Sequence, residues 1–106
     1  MVIYRLREKV WDRQVIDTTL VGGHTIQAAD LNGDGVDEVI TGYRGQGRSV
    51  YIYSLAGDQI KQTWTKQTLD DGGMGAAACA VADLNGDGRR DIACIDSTRL
   101  KWYENR

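Results

Sequence analysis

The chain of 106 residues contains no proline, no phenylalanine, two cysteines and one histidine. Two cysteines, Cys79 and Cys94, are too few for a disulfide scaffold. Charge is nearly balanced, with 13 basic against 15 acidic residues, a net −2 and a pI near 5.2. No basic run or stripe appears, which argues against a nucleic-acid partner. No apolar segment approaches the ~18 residues of a membrane-spanning helix, so no membrane partner is expected. Met1 leads into Val2-Ile3-Tyr4-Arg5 without a signal-peptide pattern, and the compartment stays open. No Ser/His/Asp order or nucleophile elbow is present, and the glycine-rich stretch 42–47 lacks the Lys-Ser/Thr of a phosphate-binding loop. No long stretch shows a 3.6-residue apolar period, so helices are not expected. At this length the chain is one domain at most, with a modest core.

What is present is said twice. Asp30-Leu31-Asn32-Gly33-Asp34-Gly35 returns as Asp83-Leu84-Asn85-Gly86-Asp87-Gly88, a period of 83 − 30 = 53 residues. Identity runs unbroken from Ala29–Gly35 to Ala82–Gly88, and at the same offset Trp11 answers Trp64, Gln14 answers Gln67 and Asp17 answers Asp70. A fixed period near 50 residues points to a repeat architecture in which each unit needs a neighbour to bury its apolar face. Since 2 × 53 = 106, the chain is a single module of two repeats, about 1–53 and 54–106.

The repeated hexapeptide places side-chain oxygens at loop positions 1, 3 and 5, with glycine at 6 for a sharp turn. Hard divalent cations favour such convergence of oxygens with carboxylate charge to offset dehydration. Position 9 is acidic in both copies. The inferred ligands of the first loop are Asp30, Asn32, Asp34, the Val36 carbonyl and Glu38. Those of the second are Asp83, Asn85, Asp87, the Arg89 carbonyl and Asp91. Calcium is the expected ion, one per repeat and two per chain. An EF-hand is disfavoured because position 12 is Thr41 or Cys94 rather than acidic, and because the flanks read as strands. The competing reading is a turn in which Asp, Asn and Gly only hold the backbone. Asp30, Asp34, Asp37 and Glu38 surround the first loop without a base, whereas Arg89 and Arg90 dilute the acids of the second. The first is therefore expected to bind more tightly.

Alternating and β-branched runs set the expected strands: Val2–Leu6, Val10–Ile16, Thr25–Ala29, Glu38–Tyr43, Ser49–Leu55 and Ile60–Leu69 in the first stretch. Ala76–Ala82, Asp91–Ile95 and Leu100–Glu104 follow in the second. Turns are expected at Arg7-Glu8-Lys9, Arg44-Gly45-Gln46-Gly47 and Ala56-Gly57-Asp58. Cys79 and Cys94 flank the second loop nearly symmetrically. A cross-strand disulfide is one reading. A pair of small buried hydrophobes is the commoner outcome and the one favoured here.

Four-stranded units of this length, with D-x-N-x-D-G between their first two strands, resemble the FG-GAP/VCBS repeats of integrin-like β-propellers. The resemblance rests on Ala29–Glu38 and Ala82–Asp91, on Trp11 and Trp64, and on Leu100-Lys101-Trp102-Tyr103-Glu104-Asn105. It implies an all-β fold of two propeller blades, each a four-stranded antiparallel sheet with a calcium loop. It departs from the family at Glu38, where aspartate is usual. Propellers need about four to eight blades, so two leave open edges that invite another chain. The permuted phase, with two strands before the first loop and a third-type strand at the end, suits strand exchange between copies. A homo-oligomer is expected to complete the ring, a homotrimer before a homotetramer. The exact two-repeat length and the missing proline and phenylalanine fit an excised or engineered fragment, whose parent protein is of a kind that is often exported.

The resemblance also places Gly22-Gly23-His24 at the opening of an innermost strand, making His24 a candidate channel site where a symmetric ring would gather imidazoles around a metal. An exposed or merely hydrogen-bonded histidine is the favoured reading. A structural or interaction role without catalysis is expected. The alternatives are a lectin-like carbohydrate-binding module, with stacking by Trp11, Tyr51, Tyr53, Trp64, Trp102 or Tyr103, and a fragment of a propeller-type sugar lyase or dehydratase. These aromatics more often form packing than sugar platforms.

Overall fold

A computed structural model describes residues 1–45, 47–57 and 62–106. The described residues form strands joined by turns: β1 (Val2–Arg7), β2 (Val10–Val15), β3 (Gly23–Ala29), β4 (Glu38–Tyr43), β5 (Val50–Ala56), β6 (Thr63–Asp70), β7 (Ala78–Ala82), β8 (Asp91–Ile95) and β9 (Leu100–Tyr103). The fold is all-β and every pairing is antiparallel. The expected strands appear with ends shifted by at most three residues, and β4 and β8 without a shift. Gln46, Asp58 and Ile60, which carried parts of two expected turns and a strand start, lie outside the described residues.

The strands fall into three sheets ordered β1-β2, β3-β4-β5-β6 and β7-β8-β9. One expectation needs correcting here. A four-stranded sheet in each repeat holds for β3–β6 alone, and the second unit stops at three strands. The reason lies in pairing. The fourth-type strand β2, marked by Trp11 and Gln14, hydrogen-bonds to β1 rather than to β9. The boundary at residues 53 and 54 falls within β5.

The register exposes a second copy of the outer half-unit. Ile3, Tyr4 and Leu6 face Gln14, Arg13 and Trp11. Ile52, Tyr53 and Leu55 face Gln67, Lys66 and Trp64 in the same order. The β1-β2 turn is the two-residue Glu8-Lys9, with φ of 46° and 69° at residues that carry side chains. Two-residue hairpins demand this left-handed backbone because its twist matches the strands. The hairpin touches the larger sheet through side chains. Arg5 donates from Nη1 to Gln62 Oε1 at 2.6 Å and lies over the Trp64 ring, and Trp64 Nε1 donates to Gln14 Oε1 at 3.3 Å.

The core lies between the two larger sheets and is built by Ile40, Val50, Met74, Ala76, Cys79, Ile92 and Cys94. Strands β4, β5, β7 and β8 contribute Ile40, Val50, Cys79, Ile92 and Cys94, and the segment between β6 and β7 adds Met74 and Ala76. Small residues permit close approach: a Cβ at Gly42 would meet Ala76 Cβ at 2.6 Å and the Ser49 carbonyl oxygen at 2.9 Å. The edge strands β3 and β7 of the two larger sheets pack against each other, and the Cys79 amide donates to Thr25 Oγ1 at 3.0 Å. Cys79 and Cys94 face each other directly across β7 and β8 and form a disulfide, with Cα atoms 4.1 Å apart. The favoured reading of two free buried thiols is thereby overturned. Direct cross-strand pairing brings the Cβ atoms within bonding reach, which near-symmetric spacing alone does not guarantee.

Two carboxylates tie successive units together. Asp17, just past β2, accepts from the Tyr53 hydroxyl, from Lys66 Nζ at 2.8 Å and from the Thr19 amide at 2.6 Å. Asp70, ending β6, accepts from the Tyr103 hydroxyl and Lys101 Nζ, each at 2.7 Å. Each aspartate follows a fourth-type strand and grips the third strand of the next unit.

Candidate metal centres

Both loops hang between an innermost strand and its neighbour, β3-β4 in the first and β7-β8 in the second. Their local chemistry fixes a common shape. Short Asp and Asn side chains accept from backbone amides two to five residues ahead and wind the chain inward. Asp30 Oδ1 accepts from the Gly33 amide at 2.7 Å and Oδ2 from Gly35 at 2.9 Å. Asp83 does the same toward Gly86 at 2.7 Å and Gly88 at 2.9 Å. Asn32 Oδ1 takes the Asp34 amide at 2.8 Å, and Asn85 Oδ1 takes that of Asp87 at 3.0 Å. Asp34 and Asp87 accept from Val36 and Arg89, both at 2.8 Å. Gly35 and Gly88, at φ of 86° and 88°, turn the backbone where a side chain would be strained.

These contacts hold Asp30 ionised. The Gly35 amide, then those of Gly33 and Asp34, pull its carboxyl below the usual carboxylate range against the opposing effect of burial. The ninth-position acids are more deeply set. Glu38 is 3% exposed and Asp91 is fully buried, so neither retains a hydration shell. Glu38 accepts from the Leu31 amide at 2.9 Å and from Asn32 Nδ2 at 3.0 Å. Asp91 accepts from the Leu84 amide at 3.0 Å and the Asn105 amide at 2.8 Å. The Asn105 amide is the largest cause of its lowered pKa. The extra methylene of Glu38 lets it reach Asn32. In the second loop Asn85 Nδ2 turns instead to Asp87 and Glu104, each at 3.1 Å.

The donor set suits a hard cation. Side-chain oxygens of Asp30, Asn32 and Asp34 line one loop, those of Asp83, Asn85 and Asp87 the other, and each oxygen accepting a single amide keeps a lone pair. Among the described residues no three His, Cys, Asp or Glu side chains already converge on one point. An ion would therefore have to draw the loop oxygens together.

A family model described as an FG-GAP-like repeat matches residues 30–94, from the first loop to the end of the second hairpin. The chain belongs to the FG-GAP-like repeat family. That stretch is well over half of the chain and includes both loops. No curated protein and no solved structure matches it. FG-GAP-like repeats serve as structural and interaction modules rather than enzymes.

The remaining expected site residues scatter. His24 is exposed at the start of β3, its Nδ1 3.1 Å from the carbonyl oxygen of Ala77, which is its own counterpart one period on. Of the aromatics, Tyr53 is buried in its grip on Asp17 and Tyr103 is bound to Asp70. Trp11 and Trp102 are 63% and 50% exposed on separate sheets. A cleft of about 910 Å³ opens between the two larger sheets at the loop end, lined by Ser54, Gln67, Arg89, Arg90, Tyr103 and Glu104 among others. Sequence reasoning missed Asn105, whose contacts join the loops. Its place beyond the last strand carried no periodic signal, because the counterpart on β5 is the apolar Leu55.

Proposed function

We propose that this chain is a calcium-binding interaction module that associates with copies of itself into a closed propeller. The calcium reading is supported by one observation: two loops 53 residues apart repeat the same hydrogen bonds through side-chain oxygens of the same Asp, Asn and Asp positions. Asp30, Asn32, Asp34 and Glu38 would hold one ion, helped by the Val36 carbonyl. Asp83, Asn85, Asp87 and Asp91 would hold the other, helped by that of Arg89. Bound calcium supplies charge that offsets carboxylate repulsion, and it stabilises the native state because the unfolded chain offers no such cage.

Self-association is supported by unfinished surface. The hairpin exposes Tyr4 at 58%, Leu6 at 58%, Val10 at 68% and Trp11 at 63%, while β9 exposes Leu100 at 71%. Among the described residues, β9 has no partner on its outer edge. Unpaired edges with apolar neighbours favour strand addition. Light scattering with calcium and with chelator tests the reading. The expected mass is three chains, or failing that four, falling on chelation. A chain that stays at 11.7 kDa in calcium overturns self-association.

A second reading, carbohydrate binding, is favoured by the polar cleft between the sheets. Its sign would be sugar-dependent quenching of tryptophan fluorescence. The sugar lyase or dehydratase reading would require a further metal at His24, lost in His24→Ala while calcium is retained. Unchanged metal content in that variant would end it.

A further inference from the structure

The two loops are joined by one side chain. Asn105 lies just beyond β9, and its backbone amide donates to Asp91 Oδ1 at 2.8 Å. Its side-chain Nδ2 reaches across to the other unit and donates to the Leu31 carbonyl at 2.6 Å, with a longer contact to the Arg90 carbonyl at 3.2 Å. Leu31 is position 2 of the first loop, and its own amide donates to Glu38 Oε2 at 2.9 Å. Hydrogen bonds thus run unbroken from Asp91 through Asn105 and Leu31 to Glu38. They connect the ninth-position carboxylates of two loops that stand in different sheets.

We infer that Asn105 is a positioning residue that couples the two calcium loops, so that occupation of one raises the affinity of the other. The inference rests on the calcium reading above. An ion drawing on Asp91 fixes the carboxylate to which the Asn105 amide is bound. With its backbone held, the Asn105 side chain keeps the Leu31 carbonyl, and hence the peptide between Asp30 and Asn32, in one orientation. The first loop then has less freedom to lose when it closes on its own ion. Ordering shared in this way is a coupling free energy, and thermodynamic linkage makes it reciprocal. The site is asymmetric: the Asn105 backbone grips Asp91, while its side chain grips Leu31 and, at longer range, the Arg90 carbonyl, so a side-chain substitution cuts the connection to the first loop and spares the bond to Asp91.

Calorimetric titration of calcium into the metal-stripped chain tests this. In the otherwise natural sequence, disabling the second loop with Asp83→Asn and Asp87→Asn is expected to lower the first loop's affinity by about five-fold or more, the lower end of typical couplings. The same pair of substitutions in an Asn105→Asp background is expected to leave the first loop's affinity unchanged, because that replacement keeps the backbone amide and the side-chain size but lacks the Nδ2 donor. A purely structural role would weaken the first loop by the same factor whether or not the second is intact. An equal fall in both backgrounds overturns the role of Asn105. No fall in the natural background overturns the coupling, even where the Asn105 variant does not fold. A chain that takes up no calcium overturns the calcium reading itself.

Discussion

At the scale of single residues, Asp17 concentrates the largest electrostatic consequence. Burial raises its pKa, yet hydrogen bonds from Lys66, Thr19 and Tyr53 outweigh that effect and hold the carboxyl well below the usual range. Burial, with the Asp17 hydrogen bond added, pushes the Tyr53 hydroxyl up well beyond an ordinary tyrosine. A carboxylate whose pKa is depressed on folding contributes stability that is complete above its unfolded value near 4 and is lost as pH falls toward the folded value. Asp70 acts in the same sense: burial is the largest single effect and raises its pKa, but Lys101, Tyr103 and the Gly73 amide together outweigh it. Chemical denaturation of Asp17→Asn is therefore expected to show a loss of about 2 kcal/mol at pH 7, the scale of hydrogen bonds to a charged group. That difference should shrink below about pH 4, as the unfolded chain takes up a proton that the folded carboxyl still excludes. The pairing of Asp17 with Asp70 was visible at the 53-residue offset, but their tyrosine partners were not. Those contacts join strands of neighbouring units, and no local pattern encodes which strands meet.

Among the elements, the loops and strands were the most legible. β4 and β8 were located to the residue, because both are apolar runs that leave an acidic loop end and stop at a turn. The grouping into sheets was less legible, since β2 carries a fourth strand's residues while pairing with a third-type strand of its own. Two predictions belong here. Gly42→Ala places a methyl group against Ala76 Cβ and the Ser49 carbonyl. Overpacking of this kind costs about 1–3 kcal/mol, measurable as a lower denaturation midpoint at unchanged slope. Replacing Glu8-Lys9 by Asn-Gly relieves two left-handed residues and supplies the residues that such turns prefer. The β1-β2 hairpin is expected to gain roughly 1 kcal/mol, read as slower amide exchange across its ladder.

For the molecule as a whole, the disulfide is the strongest covalent constraint. Cys79 and Cys94 close a loop of 15 residues around the entire second metal loop. In the chain-entropy picture a closure of that length stabilises by about 3 kcal/mol. Thermal unfolding of the reduced chain, or of Cys94→Ser, should reveal a loss of that order. The first repeat carries Ile26 and Thr41 at the matching places, so reduction is expected to weaken calcium uptake at the second loop directly, and at the first only through the coupling carried by Asn105. Sequence left the pair's state open because near-symmetric spacing fixes neither register nor Cβ direction. The winding of the two loops was more legible, since the repeated Asp, Asn and Gly residues are the ones that make its hydrogen bonds.

The likeness of β1 to β5 carries a consequence for how the chain finds its fold. β1 offers β2 the same facing residues that β5 offers β6, and β9 brings its own tyrosine, Tyr103, to the matching place on β8. Three segments thus hold nearly the same address, and a fourth-type strand has more than one correct-looking partner. In dilute solution proximity decides, because the short Glu8-Lys9 turn closes β1 onto β2 before a distant strand arrives. As concentration rises, a strand from another molecule competes on equal terms. Refolding should then slow and become dependent on concentration. The repetition that makes this sequence easy to parse gives its unfolded chain several near-equivalent ways to pair.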